Sequence, residues 1–148
     1  MLDVRDLHAY YGKSHILQGV DMRVAPGEIV ALLGRNGAGR STMIKAIMGA
    51  IAVRGTVLFR QRDITGWKPH LVCRQGIGYV PESRDIFPGL SVRQNLLLGC
   101  RGGRTRGRWS IDDVFARFPN LSARADVPAG ELSGGEQQML TMCRTLMG

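Results

Sequence analysis

The chain has 148 residues, of which 44% are hydrophobic, 22% charged and 6% aromatic. That balance excludes a disordered chain and a pure coiled coil, and suits one globular domain. Net charge is +8; of 20 basic residues only Lys13, Lys45 and Lys68 are lysines, leaving 17 arginines, and 20 residues are glycine. A basic, glycine-rich chain points to an anionic partner without choosing among nucleotide, nucleic acid and lipid. No run approaches the ~18 uncharged apolar residues of a membrane span. The charged start Met1-Leu2-Asp3-Val4-Arg5-Asp6 lacks the apolar core of a signal peptide.

Extended segments come first. Val20, Met22 and Val24 alternate with Asp21 and Arg23, the period of a half-buried strand. Ala25-Pro26-Gly27 predicts a turn, and Glu28-Ile29-Val30-Ala31-Leu32-Leu33 a short strand buried on both faces. A glycine-rich loop follows from Gly34 to Gly39, then a helix over 40–48 with Met43, Ile44, Ile47 and Met48 on one face and Gly49 at its end. Strands are predicted at 56–60 and 77–80, with a short helix at 69–74 opened by Pro69. From Ser91 the pattern turns helical, over 92–98 and 111–118. The last helix starts at Ser133 and carries Met139, Leu140, Met142, Cys143, Leu146 and Met147 at helical spacing. The class expected is α/β with an inserted helical region.

Cys73, Cys100 and Cys143 are odd in number, far apart and outside any C-x-x-C, so reduced thiols in a cytosolic protein are expected. His8, His15 and His70 have no acidic or thiol neighbour at ligand spacing and read as surface or boundary residues.

Gly34-Arg35-Asn36-Gly37-Ala38-Gly39-Arg40-Ser41-Thr42 follows a strand and opens a helix, where a phosphate-binding loop belongs. Glycines let successive N–H groups point inward, and the helix adds its positive end. A cationic side chain reaches the outer phosphates, and a hydroxyl, here Ser41, ligates Mg²⁺. Arg40 stands where the pattern G-x-x-x-x-G-K-[ST] has lysine. Its planar fork replaces a compact point charge, so nucleotide binding is expected to be retained but weakened, and hydrolysis strongly reduced.

Leu132-Ser133-Gly134-Gly135-Glu136-Gln137-Gln138 opens the last helix. Ser133 and Glu136 form a capping-box pattern. Two glycines weaken a helix start at about 1 kcal/mol each, yet they suit a backbone approached closely by an anion. Both readings stand on these residues alone.

Together the two motifs resemble the ATP-binding subunits of ABC transporters, whose signature is L-S-G-G-Q. Tyr11-Gly12-Lys13, Gly27 through Gly39, Tyr79-Val80-Pro81-Glu82, Phe87-Pro88 and Leu132 through Leu140 look like the branched-chain amino acid importer subgroup. The resemblance covers essentially the whole chain. It implies an α/β P-loop NTPase core with an antiparallel β subdomain and a helical subdomain, incomplete at the C-terminus. The parts would be 1–82 for core and β subdomain, 83–132 for the helical subdomain and 133–148 for the signature helix.

The resemblance also assigns roles. Tyr11 would stack on adenine. Gly34 begins the loop, and Asn36, Gly37, Ala38, Gly39, Arg40, Ser41 and Thr42 would wrap the triphosphate of ATP and its Mg²⁺. Glu82 stands where the family usually has a glutamine sensing γ-phosphate and Mg²⁺; it could ligate the metal beside Ser41, though its charge opposes a phosphate. The segment from Ser83 to Val92 would receive the membrane-spanning permease subunits. Ser133, Gly134 and Gly135 would close over ATP on a second ATP-binding subunit, in a head-to-tail homo- or heterodimer. The subunit would sit at the cytoplasmic face of the plasma membrane and power import, with branched-chain amino acids as cargo.

Family members continue past the signature helix into a hydrophobic strand ending Asp-Glu and a later His, which supply metal coordination, the general base and a γ-phosphate contact. None follows Gly148, so no catalytic residue is assigned, and no Asp-Glu pair follows an apolar run elsewhere in the sequence. For this chain alone aggregation and little turnover are expected, and a truncated nucleotide-binding remnant without turnover is the alternative to the importer subunit. The rival reading is a nucleic-acid-binding module built on the Arg/Gly tract 101–108. With Trp109 as the one adjacent aromatic, a solvated loop is the plainer reading, and no nucleic-acid partner is expected.

Overall fold

The computed structural model describes residues 1–100 and 109–148; the Arg/Gly tract 101–108, with the nucleic-acid reading attached to it, lies outside the described residues. The chain divides into two compact units, Met1–Ile77 and Gly78–Gly148.

The first unit is built on a four-stranded antiparallel sheet of order β2-β1-β3-β4, with β1 at Leu2–Tyr11, β2 at Ser14–Val24, β3 at Ala52–Phe59 and β4 at Arg62–Asp63. Val4, Leu7, Ala9, Leu17, Val57 and Phe59 are its buried side chains. Helix α1 (Arg40–Ile47) adds buried Thr42, Met43, Ala46 and Ile47, and Met48 follows. Each fully buried aliphatic side chain stabilises by about 1.5–3 kcal/mol, which is what holds so short a helix on the sheet. The apolar face differs by one position from the expected one, because Ile44 is left 38% exposed and Ala46 is buried. Helix α2 (Pro69–Arg74) has Pro at its first turn, as predicted.

Two expected strands do not form. Residues 28–33 pair with no strand among the described residues, and Ile29 and Leu33 are 98% and 85% exposed. An apolar run becomes a buried strand only where neighbours accept its N–H and C=O groups and cover both faces. Residues 77–80 are likewise unpaired coil.

In the second unit, α3 (Val92–Leu97), α4 (Ile111–Arg117), α5 (Pro119–Ala123), a 3-10 turn at Ala129–Glu131 and α6 (Gly134–Leu146) surround one core. That core holds Val92, Leu96, Val114, Leu121, Leu132, Leu140, Cys143 and Met147. Met142 and Leu146, expected on the buried stripe of α6, are about half exposed, so its packed face is narrower than the sequence suggests. Ser91, Ser110 and Ser133 each start a helix with a complete capping box. The side chain of Asn95 is fully buried: its Oδ1 accepts from the Phe87 N–H at 2.9 Å, and its Nδ2 faces the carbonyls of Phe87, Leu90 and Ser91. One buried amide thereby fixes the backbone of 87–91.

No helix among the described residues is long and apolar enough to cross a membrane. No disulfide joins Cys73, Cys100 and Cys143, and burial pushes the Cys143 thiol up to about 11.

Candidate functional site

Gly37 and Gly39 take left-handed φ of +84° and +86°. Gly39 is the N-cap of α1 and is irreplaceable on two counts, since a Cβ there would lie 2.8 Å from Leu17 Cδ2 as well as straining the backbone. Ala38 N–H closes a turn on the Arg35 carbonyl at 3.1 Å, and Met43 N–H bonds to the Gly39 carbonyl at 2.8 Å. No side chain caps α1 and no acidic residue lies in its first turn. The leading N–H groups of a helix have no partner within it, so this terminus presents open donors and a positive dipole end to solvent. Loop residues 34–38 and Ser41 are exposed, while Thr42 is buried. Arg40 does not point freely outward: its Nη2 donates to Asn36 Oδ1 at 3.2 Å.

Tyr11 ends β1 beside the two-residue turn Gly12-Lys13 and is 43% exposed, with Ser14 opposite it across the hairpin. Tyr11 and the loop from Gly34 to Thr42 therefore belong to the first unit, and Glu82, Ser133, Gly134 and Gly135 to the second. Glu82 is exposed, next to buried Pro81.

At the signature motif the capping box is present. Ser133 N–H donates to Glu136 Oε2 at 2.9 Å, and Glu136 N–H donates to Ser133 Oγ at 3.4 Å. Bonds from the Ser133 side chain and backbone hold the Glu136 carboxyl below its ordinary range. The two glycines differ. Space around Gly135 is open, whereas a Cβ on Gly134 would lie 3.0 Å from Arg84 Nη2. Arg84, which the sequence did not single out, also donates from Nη1 to Gln137 Oε1 at 3.2 Å, and its carbonyl accepts from the Thr141 hydroxyl. Arg84 and the following Asp85 both have left-handed φ (+69° and +46°), and the Asp85 carbonyl accepts from Arg144 Nη2 at 2.6 Å. The segment after Glu82 is thus tied to α6 at both ends of that helix. Nothing in the local sequence signals this, because the partners are more than 50 positions apart.

His8 is half-buried and His15 and His70 are exposed, as the surface-or-boundary reading expects, but two of them have polar partners it did not anticipate. His8 and His15 are hydrogen-bonded to each other, and His8 also pairs with Asp6. The acidic neighbour is two residues away along a strand, a spacing that a search for metal ligands passes over.

The sequence model of the ABC transporter family matches residues 17–148. The chain belongs to the ABC transporter family. It is 38% identical over 99% of its length to the high-affinity branched-chain amino acid transport ATP-binding protein BraG of Pseudomonas aeruginosa, covering 64% of that protein. It is 37% identical over 99% of its length to the probable branched-chain amino acid transport ATP-binding protein LivF of Archaeoglobus fulgidus, covering 63%. Among solved structures, the ADP conformation of MJ1267, an ATP-binding cassette of an ABC transporter, superposes with a TM-score of 0.77 at 30% identity, over 99% of this chain and 64% of that one. The chain thus spans just under two thirds of the relatives it matches. The α/β P-loop NTPase fold expected of an ABC cassette is borne out at this level, with the unpaired segments 28–33 and 77–80 as local departures from it.

Proposed function

We propose that the chain is the nucleotide-binding part of an ABC import ATPase, taking up ATP with Mg²⁺ at the loop from Gly34 to Thr42. The observation that carries this is the N-terminus of α1: uncapped, preceded by left-handed glycines, free of acidic residues in its first turn and exposed. Those are the features an anion site at a helix start needs. Asn36, Gly37, Ala38, Gly39 and Arg40 surround the phosphates, and Ser41 offers its exposed hydroxyl to the metal, with Glu82 as a second candidate ligand. Mg²⁺, when bound, neutralises charge on the outer phosphates. Tyr11 meets the adenine. Ser133, Gly134 and Gly135 face the nucleotide of a second subunit, and the segment from Ser83 to Val92 meets the permease subunits at the cytoplasmic face of the membrane. The similarity to BraG and LivF supports branched-chain amino acids as the cargo.

The test is ATP titration with and without Mg²⁺. Native chain and Ser41→Ala bind equally without metal, and only the native gains affinity when Mg²⁺ is added. Absence of ATP binding at millimolar concentration, or an equal Mg²⁺ gain in both chains, overturns the assignment.

A further inference from the structure

The segment that follows Glu82 is folded back against α6. The Arg84 N–H closes a turn on the Pro81 carbonyl at 3.1 Å, the Thr141 hydroxyl donates to the Arg84 carbonyl, and Arg144 Nη2 donates to the Asp85 carbonyl at 2.6 Å. Arg84 and Asp85 hold left-handed φ of +69° and +46°. Non-glycine residues keep such a conformation only where their surroundings over-determine it. The two pinned carbonyls do so here, and the Ser83 hydroxyl adds a bond to Asp85 Oδ1 at 2.8 Å.

The result is a guanidinium at the start of α6. A Cβ on Gly134 would stand 3.0 Å from Arg84 Nη2 and 3.2 Å from its Cζ and Nη1, so the planar group lies over that glycine. Nη1 donates to Gln137 Oε1 at 3.2 Å. Arginine offers no acceptor, so the amide oxygen of Gln137 turns to it. The amide nitrogen is left to donate to the Leu132 carbonyl at 3.1 Å, with the Ala129 carbonyl at 3.5 Å. Those carbonyls belong to the stretch that leads into Ser133. Arg84 thus sets the sense of one amide, and that amide holds the entry to the helix.

Helix stability does not account for this arrangement. A cation over the start of a helix meets the positive end of its dipole. The two glycines also differ in what they permit. Gly134 lies within α6 and has no left-handed φ, so alanine would be the better helix former there. What alanine would remove is the seat of Arg84, because its methyl takes the place of the guanidinium and the bond to Gln137 goes with it. Gly135 has open space around it and leaves Arg84 undisturbed.

We propose that Arg84 is a positioning residue for the signature motif: seated over Gly134, it locks Gln137 and thereby holds the backbone of 132–135 in the arrangement that meets the nucleotide of a second subunit. This rests on the head-to-tail reading above and adds to it the residue that shapes the contact.

The experiment follows self-association of the full chain by sedimentation equilibrium, with and without ATP and Mg²⁺. ATP affinity at concentrations where the chain is monomeric, and melting temperature, are measured beside it. The native chain associates more tightly when ATP and Mg²⁺ are present. Arg84→Ala weakens that association about tenfold, the size of one hydrogen bond from a charged donor. Its melting temperature and monomer ATP affinity are unchanged, since the loop from Gly34 to Thr42 belongs to the other unit. Arg84→Lys, which can still donate to Gln137 Oε1, recovers most of the loss. Gly134→Ala weakens association as Arg84→Ala does and adds nothing in the double variant.

Undiminished association in Arg84→Ala, a loss that Arg84→Lys does not restore, or a further loss from Gly134→Ala in the Arg84→Ala chain overturns the proposal. So does a lowered melting temperature in Arg84→Ala, which would assign the residue to the fold alone. A native chain that binds ATP without associating overturns it and leaves the nucleotide loop standing. One that binds no ATP overturns both.

Discussion

Arg40 shows how one side chain sets the character of a loop. Its guanidinium is held by Asn36, and an incoming phosphate must share or break that bond. Lysine at this position has a slimmer, rotatable head with no preference for a planar acceptor. Arg40→Lys is therefore expected to tighten ATP binding roughly tenfold, the size of one charge-assisted hydrogen bond of about 1.5 kcal/mol, read by calorimetric titration. Equal or weaker binding by the lysine form contradicts it. Glu136 carries a different signature. Its carboxyl is held below the ordinary range by Ser133, so its contribution is complete above the unfolded-state value and disappears as pH falls through the lowered folded value. The stability difference between native and Glu136→Gln, from urea unfolding, is expected to favour the native chain at pH 7 and to shrink toward pH 3. A difference independent of pH would assign the cap to hydrogen bonding without charge.

Elements were legible in the sequence where their signals were local. Helices α2, α3, α4 and α6 were read within one or two residues, because a proline at the first turn or a serine cap with a carboxylate or amide three residues on marks their starts. β1 gave no clean alternation, since its bulge puts buried Val4 and Leu7 three residues apart. β4 was missed because its turn uses Arg60 and Gln61 at left-handed φ instead of the usual Asn-Gly. The phosphate loop and signature residues were visible as motifs, but Arg84 and the His8–His15 pair depend on distant or bulged partners that periodicity does not report. Asn95 is the same kind of hidden determinant. Removing its side chain leaves buried carbonyls and the Phe87 N–H without partners, so Asn95→Ala is expected to destabilise the second unit by about 2–3 kcal/mol. Chemical denaturation measures this, and a change below about 0.5 kcal/mol would mean that water replaces the amide.

At the scale of the whole molecule, the exposed run Ile29-Val30-Ala31-Leu32-Leu33 is the principal liability. It presents unpaired backbone and apolar side chains together, the combination that templates strand addition. The double variant Ile29→Lys, Leu33→Lys is expected to lower light scattering of concentrated samples with no loss in melting temperature, since neither side chain is packed. Unchanged scattering would place the sticky surface elsewhere.

The unequal ends of α1 and α6 carry a consequence for solvent exchange. At α6 the Ser133 and Glu136 amides are already bonded within the cap, so their deuterium uptake is slow whether or not an anion is near. At α1 no side chain protects the leading amides, and that of exposed Ser41 is expected to exchange faster than the capped pair until something outside the chain accepts its hydrogen. The protein thus contains its own occupancy gauge and its own internal reference: one helix start whose exchange slows on filling, and one whose rate stays put.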